Sequence, residues 1–365
     1  MNINYFLLLF FCCSLQLIAQ TESDSLLTAE ELNFRDSIAA INLENENLQQ
    51  LQQTYNKATE SFGSGDFRNS IKYYSKVLDL DSSYVLAFFN RGLAYKELKE
   101  YDLALDDLNT TFLLDSTNFE SLIQKAKILT ITKKYDQAIL VYQLVVSLDK
   151  SYSEGYYEVG VIHYLNKKYQ LAIQAFTNAI NINNNYAYAL NDRASCYRAL
   201  EKFDLSITDY KKAISIEPKA FIYNNLGSVL KRAGQVDEAK KAYDKAISLD
   251  PDYALALNNR GVIYFEMDNL ENALKDFNKA IEKKSNYSLA LINRAAVYQL
   301  QKHYTAALAD LNVAIDNQQN NGVAYLNRGI TREMLRDVDG ACEDWQKASD
   351  LGISKGRAYY INNCE

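Results

Sequence analysis

Apolar and polar positions along most of this chain fall into helix-length blocks. Within each block the apolar residues recur at roughly the 3.6-residue spacing of one helix face. Short polar turns such as Gly63-Ser64-Gly65-Asp66 and Gly234-Gln235 split the blocks. Aligned on itself, the chain repeats every 34 residues from Leu51 to Lys355. Nine units begin at Leu51, Val85, Phe119, Ser153, Ala187, Ala220, Ala254, Ser288 and Gly322, the fifth one residue short. Each unit predicts a pair of helices.

Side-chain size follows the same period. Place 8 of the nine units holds Ala58, Gly92, Ala126, Gly160, Ala194, Gly227, Gly261, Ala295 and Gly329. Place 20 holds Ser70, Ala104, Ala138, Ala172, Ser206, Ala239, Ala273, Ala307 and Ala341. Small residues at both places let two antiparallel helices approach closely. Place 24 is large in every unit: Tyr74, Leu108, Tyr142, Phe176, Tyr210, Tyr243, Phe277, Leu311 and Trp345. Pro218 and Pro251, the two prolines of the chain, both fall at place 32, after the second helix, where they break nothing.

This constellation resembles the tetratricopeptide repeat family. The resemblance implies an all-α fold, a right-handed superhelical solenoid of nine antiparallel helix pairs. Its first helices would line a concave groove through places 2, 5, 9, 12 and 13. Two departures stand out: place 7 is Arg or Lys in seven units, and place 32 is rarely Pro. The family's chaperone-binding subclass uses Lys at place 5 and Asn at place 9; no unit has either.

Place 7 varies together with place 23. Arg91, Arg193, Arg260, Arg294 and Arg328 share their units with Asp107, Asp209, Asp276, Asp310 and Asp344. The other four units carry Lys57, Lys125, Val159 or Leu226 at place 7, and never Asp at place 23. The two places lie on the two helices of a pair, so the pattern predicts partly buried Arg–Asp pairs that fix helix register. Anion binding by the Arg row is the competing reading.

In the groove implied by the resemblance, place 5 stacks Asn191, Asn224 and Asn258 in consecutive units. Such amides can donate to and accept from an extended peptide backbone. Tyr188, Phe221 and Phe265 would flank them, with a basic group of Arg198, Lys231 and Arg232. The expectation is a site for an extended, acidic protein or peptide segment; a solvated groove without one preferred ligand is the plain alternative. The Asn at place 6 (Asn56, Asn90, Asn225, Asn259, Asn293, Asn327) reads as structural.

The flanks have their own patterns. Tyr5–Ala19 is an apolar run of secretory length, shorter than a membrane span, and residues 1–19 are expected to form a signal peptide or a retained anchor. Residues 20–50 form an acidic helical arm, the repeats span 51–355, and 356–365 complete a C-terminal cap. Leu27, Phe34, Ile41, Leu48, Tyr55 and Phe62 recur every seven residues without a second apolar row, which supports a coiled coil only weakly. The arm is expected to pack on the first repeat as an amphipathic helix or to stay partly disordered. A capping helix of about 355–363 should close the last repeat. Cys342 on the last second helix and Cys364 in the cap are a candidate disulfide worth roughly 3 kcal/mol, whereas Cys196 lies inside a first helix and reads as a buried thiol.

Composition narrows the function. The net charge of −7 argues against a nucleic-acid partner. Residues 1–52 hold seven acids and one base, so −6 of that total belongs to the short segment before the repeats. His163 and His303 lie far apart, and no phosphate-loop, zinc or hydrolase motif occurs, so no catalytic, metal or cofactor residue is nominated. The expectation is a non-enzymatic, exported scaffold of the periplasm or cell envelope, or a secreted one, that binds a protein or peptide. The mature chain should contain no integral membrane span. A self-associating structural protein, acting through the arm or the solenoid ends, is the alternative; oligomeric state is left open.

Overall fold

Few breakers and regular polar turns leave the chain one option, a succession of short amphipathic helices. The computed structural model describes residues 28–364, so the signal-peptide assignment of residues 1–19 lies outside the described residues. Helices and turns are all that occur among them, with no strand. The chain divides into two units, Met1–Leu148 and Asp149–Glu365.

The first unit contains α1 (Ala29–Gly63), α2 (Phe67–Leu80), α3 (Val85–Glu97), α4 (Tyr101–Leu114), α5 (Phe119–Ile131) and α6 (Tyr135–Leu148). Within the unit, consecutive helices pack on one another. α1 opens with a capping box, in which the Thr28 hydroxyl accepts from the Glu31 N–H and the Glu31 carboxylate accepts from the Thr28 N–H. It then runs through Gln50 and Leu51 without a break, so the arm and the first helix of the first repeat are one element. This corrects the expectation that the arm packs on that repeat: Phe34, Ile41 and Leu48 are exposed. No Gly or Pro between residues 22 and 62 turns the helix back.

The second unit contains six further pairs: α7 (Ser153–Leu165) and α8 (Tyr169–Ile182), α9 (Ala187–Ala199) and α10 (Phe203–Ile216), α11 (Ala220–Arg232) and α12 (Val236–Leu249), α13 (Ala254–Glu266) and α14 (Leu270–Lys283), α15 (Ser288–Leu300) and α16 (Tyr304–Asn317), α17 (Gly322–Met334) and α18 (Val338–Asp350). The cap, α19 (Ser354–Cys364), packs on α18. Its Tyr359 ring lies 5.1 Å from that of Trp345, and Cys342 is disulfide-bonded to Cys364.

The small–large frame explains the pairing. All nine place-24 side chains are buried. A Cβ added at Gly261 would come within 2.7 Å of the Phe277 ring, and one at Gly227 within 2.6 Å of the Tyr243 ring. The small residue of the first helix is therefore the seat of the large residue of the second. These rings, with the small place-8 and place-20 residues, form the core of each pair.

The turn inside each pair has one conformation throughout. Place 15 has positive φ in every unit: Gly65, Lys99, Lys133, Lys167, Glu201, Gly234, Asp268, Lys302 and Arg336. In the turn after α5, the Lys133 N–H donates to the Thr130 carbonyl and the Lys134 N–H to that of Leu129, the crossed pair that closes a helix. Only two of the nine positions are glycine, so seven units carry a side chain in a backbone region that disfavours it.

Candidate functional site

The face of the first helices begins with place 7. Each of the five Arg side chains grips its Asp with two nitrogens: for Arg193, Nε and Nη2 donate to the two Asp209 oxygens at 2.7 and 2.8 Å. Arg91–Asp107, Arg260–Asp276, Arg294–Asp310 and Arg328–Asp344 repeat this geometry. All five carboxylates are buried. The hydrogen-bonded Asp holds the guanidinium groups of Arg91, Arg260, Arg294 and Arg328 above their ordinary pKa.

A third contact was not anticipated from sequence. The remaining nitrogen, Nη1, reaches into the preceding repeat, always to place 25. Its acceptors are Ser75, Thr177, Asp244, Asn278 and Asn312, at 2.7 to 3.0 Å. Lys125, at the same place without an Asp, reaches Asn109 at place 25 of the repeat before it at 2.6 Å. Place 7 therefore joins repeats as well as helices. The signal was available, since every one of those place-25 side chains offers an oxygen acceptor.

The asparagines of place 5 are the main correction. Asn191, Asn224 and Asn258 are buried, at 3–5% exposure, and their carbonyl oxygens are already taken. Asn225 donates to Asn191 at 3.1 Å, Asn259 to Asn224 at 2.9 Å and Asn293 to Asn258 at 2.9 Å. Place 6 of one repeat thus bonds to place 5 of the repeat before. Earlier joints use tyrosine at place 5: Asn90 donates to the Tyr55 hydroxyl, and Tyr157 donates to Asp192. A buried amide left without these partners is costly, so the carbonyl oxygens of the three residues belong to the stack.

Two of the three basic side chains have acidic partners. Lys231 pairs with Glu266 at 2.7 Å and Arg232 with Glu201 at 3.0 Å. Arg232 also covers the Phe203 ring at 5.3 Å. Arg198 is half-buried beside them.

Place 2 remains open. Tyr188, Leu255, Leu289 and Val323 are 39–53% exposed, and half-buried Phe221 completes an apolar row over α9, α11, α13, α15 and α17. Tyr188 and Phe221 stack with ring centroids 5.9 Å apart. Beside Phe221 the surface dips into a concavity of about 430 Å³, lined also by Pro218, Leu249 and Tyr253. Phe265, at place 12, is half-buried.

One joint differs in charge. Asp192 stands where later repeats have Asn, and it accepts from Tyr157 and Asn191, both at 2.8 Å. Burial pushes its carboxyl above the usual range despite these bonds. Burial, aided by the Asp192 charge, pushes the Cys196 thiol up to about 12, which keeps it protonated and unreactive at neutral pH. At place 31, Asp81, Asp115 and Asp149 accept the N–H and hydroxyl of the residue two positions on, which holds their carboxyls below the usual range. Those acidic strings are turn residues. Among the described residues no group of His, Cys, Asp and Glu is placed to hold a metal ion, and no helix is long and apolar enough to cross a membrane.

Stacked helix pairs with small–large seats and polar joints define a repeat scaffold. Models of the tetratricopeptide repeat match residues 55–111, 119–152, 153–186, 187–219 and 254–287, and a model described as a TPR repeat matches 227–268. The chain belongs to the tetratricopeptide repeat family. Human serine/threonine-protein phosphatase 5 is 29% identical over 79 residues, 22% of this chain and 16% of the phosphatase. Stress-induced-phosphoprotein 1 of Caenorhabditis elegans is 32% identical over 65 residues, 18% of this chain and 20% of that protein. The chain thus matches only about a fifth or less of either relative's length. Among solved structures, the APC/C hetero-tetramer Cut9–Hcn1 superposes with a TM-score of 0.56 at 15% identity, covering 86% of this chain and 76% of that one. A tetratricopeptide repeat protein of Parabacteroides merdae gives 0.55 at 18% identity, covering 68% and 99%. Both share the fold. Repeats of this family are typically non-catalytic scaffolds that mediate protein–protein interaction, binding proteins or peptides.

Proposed function

We propose that this chain is a non-enzymatic scaffold whose second unit holds an extended, apolar-rich protein segment along the place-2 row. The observation that carries this reading is the row itself: five consecutive first helices present Tyr188, Phe221, Leu255, Leu289 and Val323 at one equivalent place, beside asparagines whose carbonyl oxygens are already engaged. Exposed apolar side chains in series gain free energy only when a partner covers them. Catalysis is disfavoured because the half-buried Asp192 is held by its neighbours and Cys196 stays a thiol.

Export to the periplasm, to the cell envelope or beyond belongs to this reading. Its supports are the apolar run Tyr5–Ala19 and the Cys342–Cys364 bond, since disulfides persist in oxidising compartments. Panning a random-peptide display library against the wild type and a Leu255→Asp/Leu289→Asp variant tests the binding site. The wild type should retain apolar-rich sequences that the variant releases; equal retention by both would remove the row from the binding surface.

A further inference from the structure

Residues 29–50 of α1 form a helix of ~33 Å that the first repeat leaves uncovered. Phe34, Ile38, Ile41 and Leu48 are 43–69% exposed, and their spacing of four, three and seven residues places them on one side. A lone helix of this length is marginal in water, and burying such a stripe is the usual source of its stability.

The stripe ends in a formed concavity. Where α1 passes the C-terminal end of α2, Leu48, Leu51 and Leu80 line a hollow of about 530 Å³. Glu44, Asp79 and Asp81 line it too. Two hydrogen bonds from Ser83 hold the Asp81 carboxyl below the usual range. Over residues 28–50 five acids (Glu30, Glu31, Asp36, Glu44, Glu46) face one base, a net of −4, and that base, Arg35, lies 3.5 Å from Asp36.

We propose that this arm and hollow are the docking site for an amphipathic helix of a partner protein, with Lys or Arg along its flanks and one large apolar side chain seated among Leu48, Leu51 and Leu80. The apolar stripe sets the helical form of the partner, because residues at helix spacing bury best against residues at helix spacing. The charge sets its sign. A second copy of the arm would bring acids against acids, a pairing disfavoured by repulsion and by the missing second apolar row. This surface is separate from the place-2 row and does not depend on it.

The test uses the full chain and a synthetic amphipathic peptide of about 20 residues, long enough to match the arm, with Leu on one face and Lys on both flanks. A control peptide carries Glu in place of Lys. Fluorescence anisotropy should show the Lys peptide binding the wild type at least about tenfold more tightly than the Glu peptide. Raising the salt should weaken that binding. Ile41→Ser/Leu48→Ser should weaken it by about tenfold or more, with unchanged helicity of the repeats by circular dichroism; both residues are exposed, so the fold does not depend on them. Leu255→Asp/Leu289→Asp should leave it intact, which separates this site from the row of the second unit. Equal affinity for both peptides, or for wild type and the arm variant, would overturn the proposal. So would sedimentation showing a dimer that Ile41→Ser/Leu48→Ser converts to monomer, because the occupant would then be a second copy.

Discussion

Two strips of the same first helices in the second unit serve opposite ends. Places 5 to 7 carry polar groups, and several of these are bonded across repeat boundaries, through Asn191, Asn224 and Asn258 and through Arg side chains that reach place 25 of the preceding repeat. Place 2 carries apolar side chains, and these stand in solvent. On this face of the first helices polar residues join neighbouring repeats and apolar ones are left for a partner, while the place-24 side chains keep an ordinary apolar core within each pair. The lesson is that a buried polar group with every partner in place joins elements more specifically than an apolar contact, because no other register satisfies it.

Removing charge from a joint should produce the largest effect. Asp209→Asn leaves the Arg193 guanidinium, largely buried, with only neutral partners, and should cost about 2–3 kcal/mol by denaturant unfolding. Asp276→Asn should cost less, because Arg260 also donates to Asp244 at 2.8 Å. Equal and negligible losses at both sites would mean that the pairs are ornaments of the surface.

A smaller effect tests charge within the asparagine series. The raised pKa of Asp192 means that the folded state holds its proton more tightly than the unfolded chain. Its contribution to stability therefore falls as pH rises from the usual carboxylate value through the raised one. Asp192→Asn should stabilise the protein at neutral pH, and the gain should shrink as pH drops through that window. A gain that grows on acidification would contradict the burial argument. Smallest of all, Lys133→Gly should stabilise by about 0.5–1 kcal/mol, since its φ of 59° lies where glycine is at ease and the side chain is exposed. Thermal unfolding checks the sign.

Legibility followed the range of the interaction. The small–large seats and the Arg–Asp pairing lie within one repeat, and internal repetition exposed both without any second sequence. The register of Cys342 and Cys364 was readable for the same reason, the cap being adjacent in the chain. What escaped depends on the neighbouring repeat: whether Asn224 faces solvent or accepts from Asn259 is decided by a side chain 35 residues away. The place-15 turns escaped for a local reason, because seven of nine lack the glycine that usually marks a left-handed residue. The helical form of the arm was legible; what its pattern did not fix is that the helix runs unbroken into the first repeat and leaves Phe34, Ile41 and Leu48 exposed.

Unfolding two double variants side by side is the most direct test of the contrast between the strips. Asn224→Ala/Asn258→Ala should lower stability by about 2–4 kcal/mol, the sum of two buried hydrogen-bonded groups. Leu255→Ser/Leu289→Ser should change it by less than about 0.5 kcal/mol, as expected for exposed positions. The opposite ranking, with silent asparagines and costly leucines, would show that the polar strip is free for a ligand and that the apolar row belongs to the core.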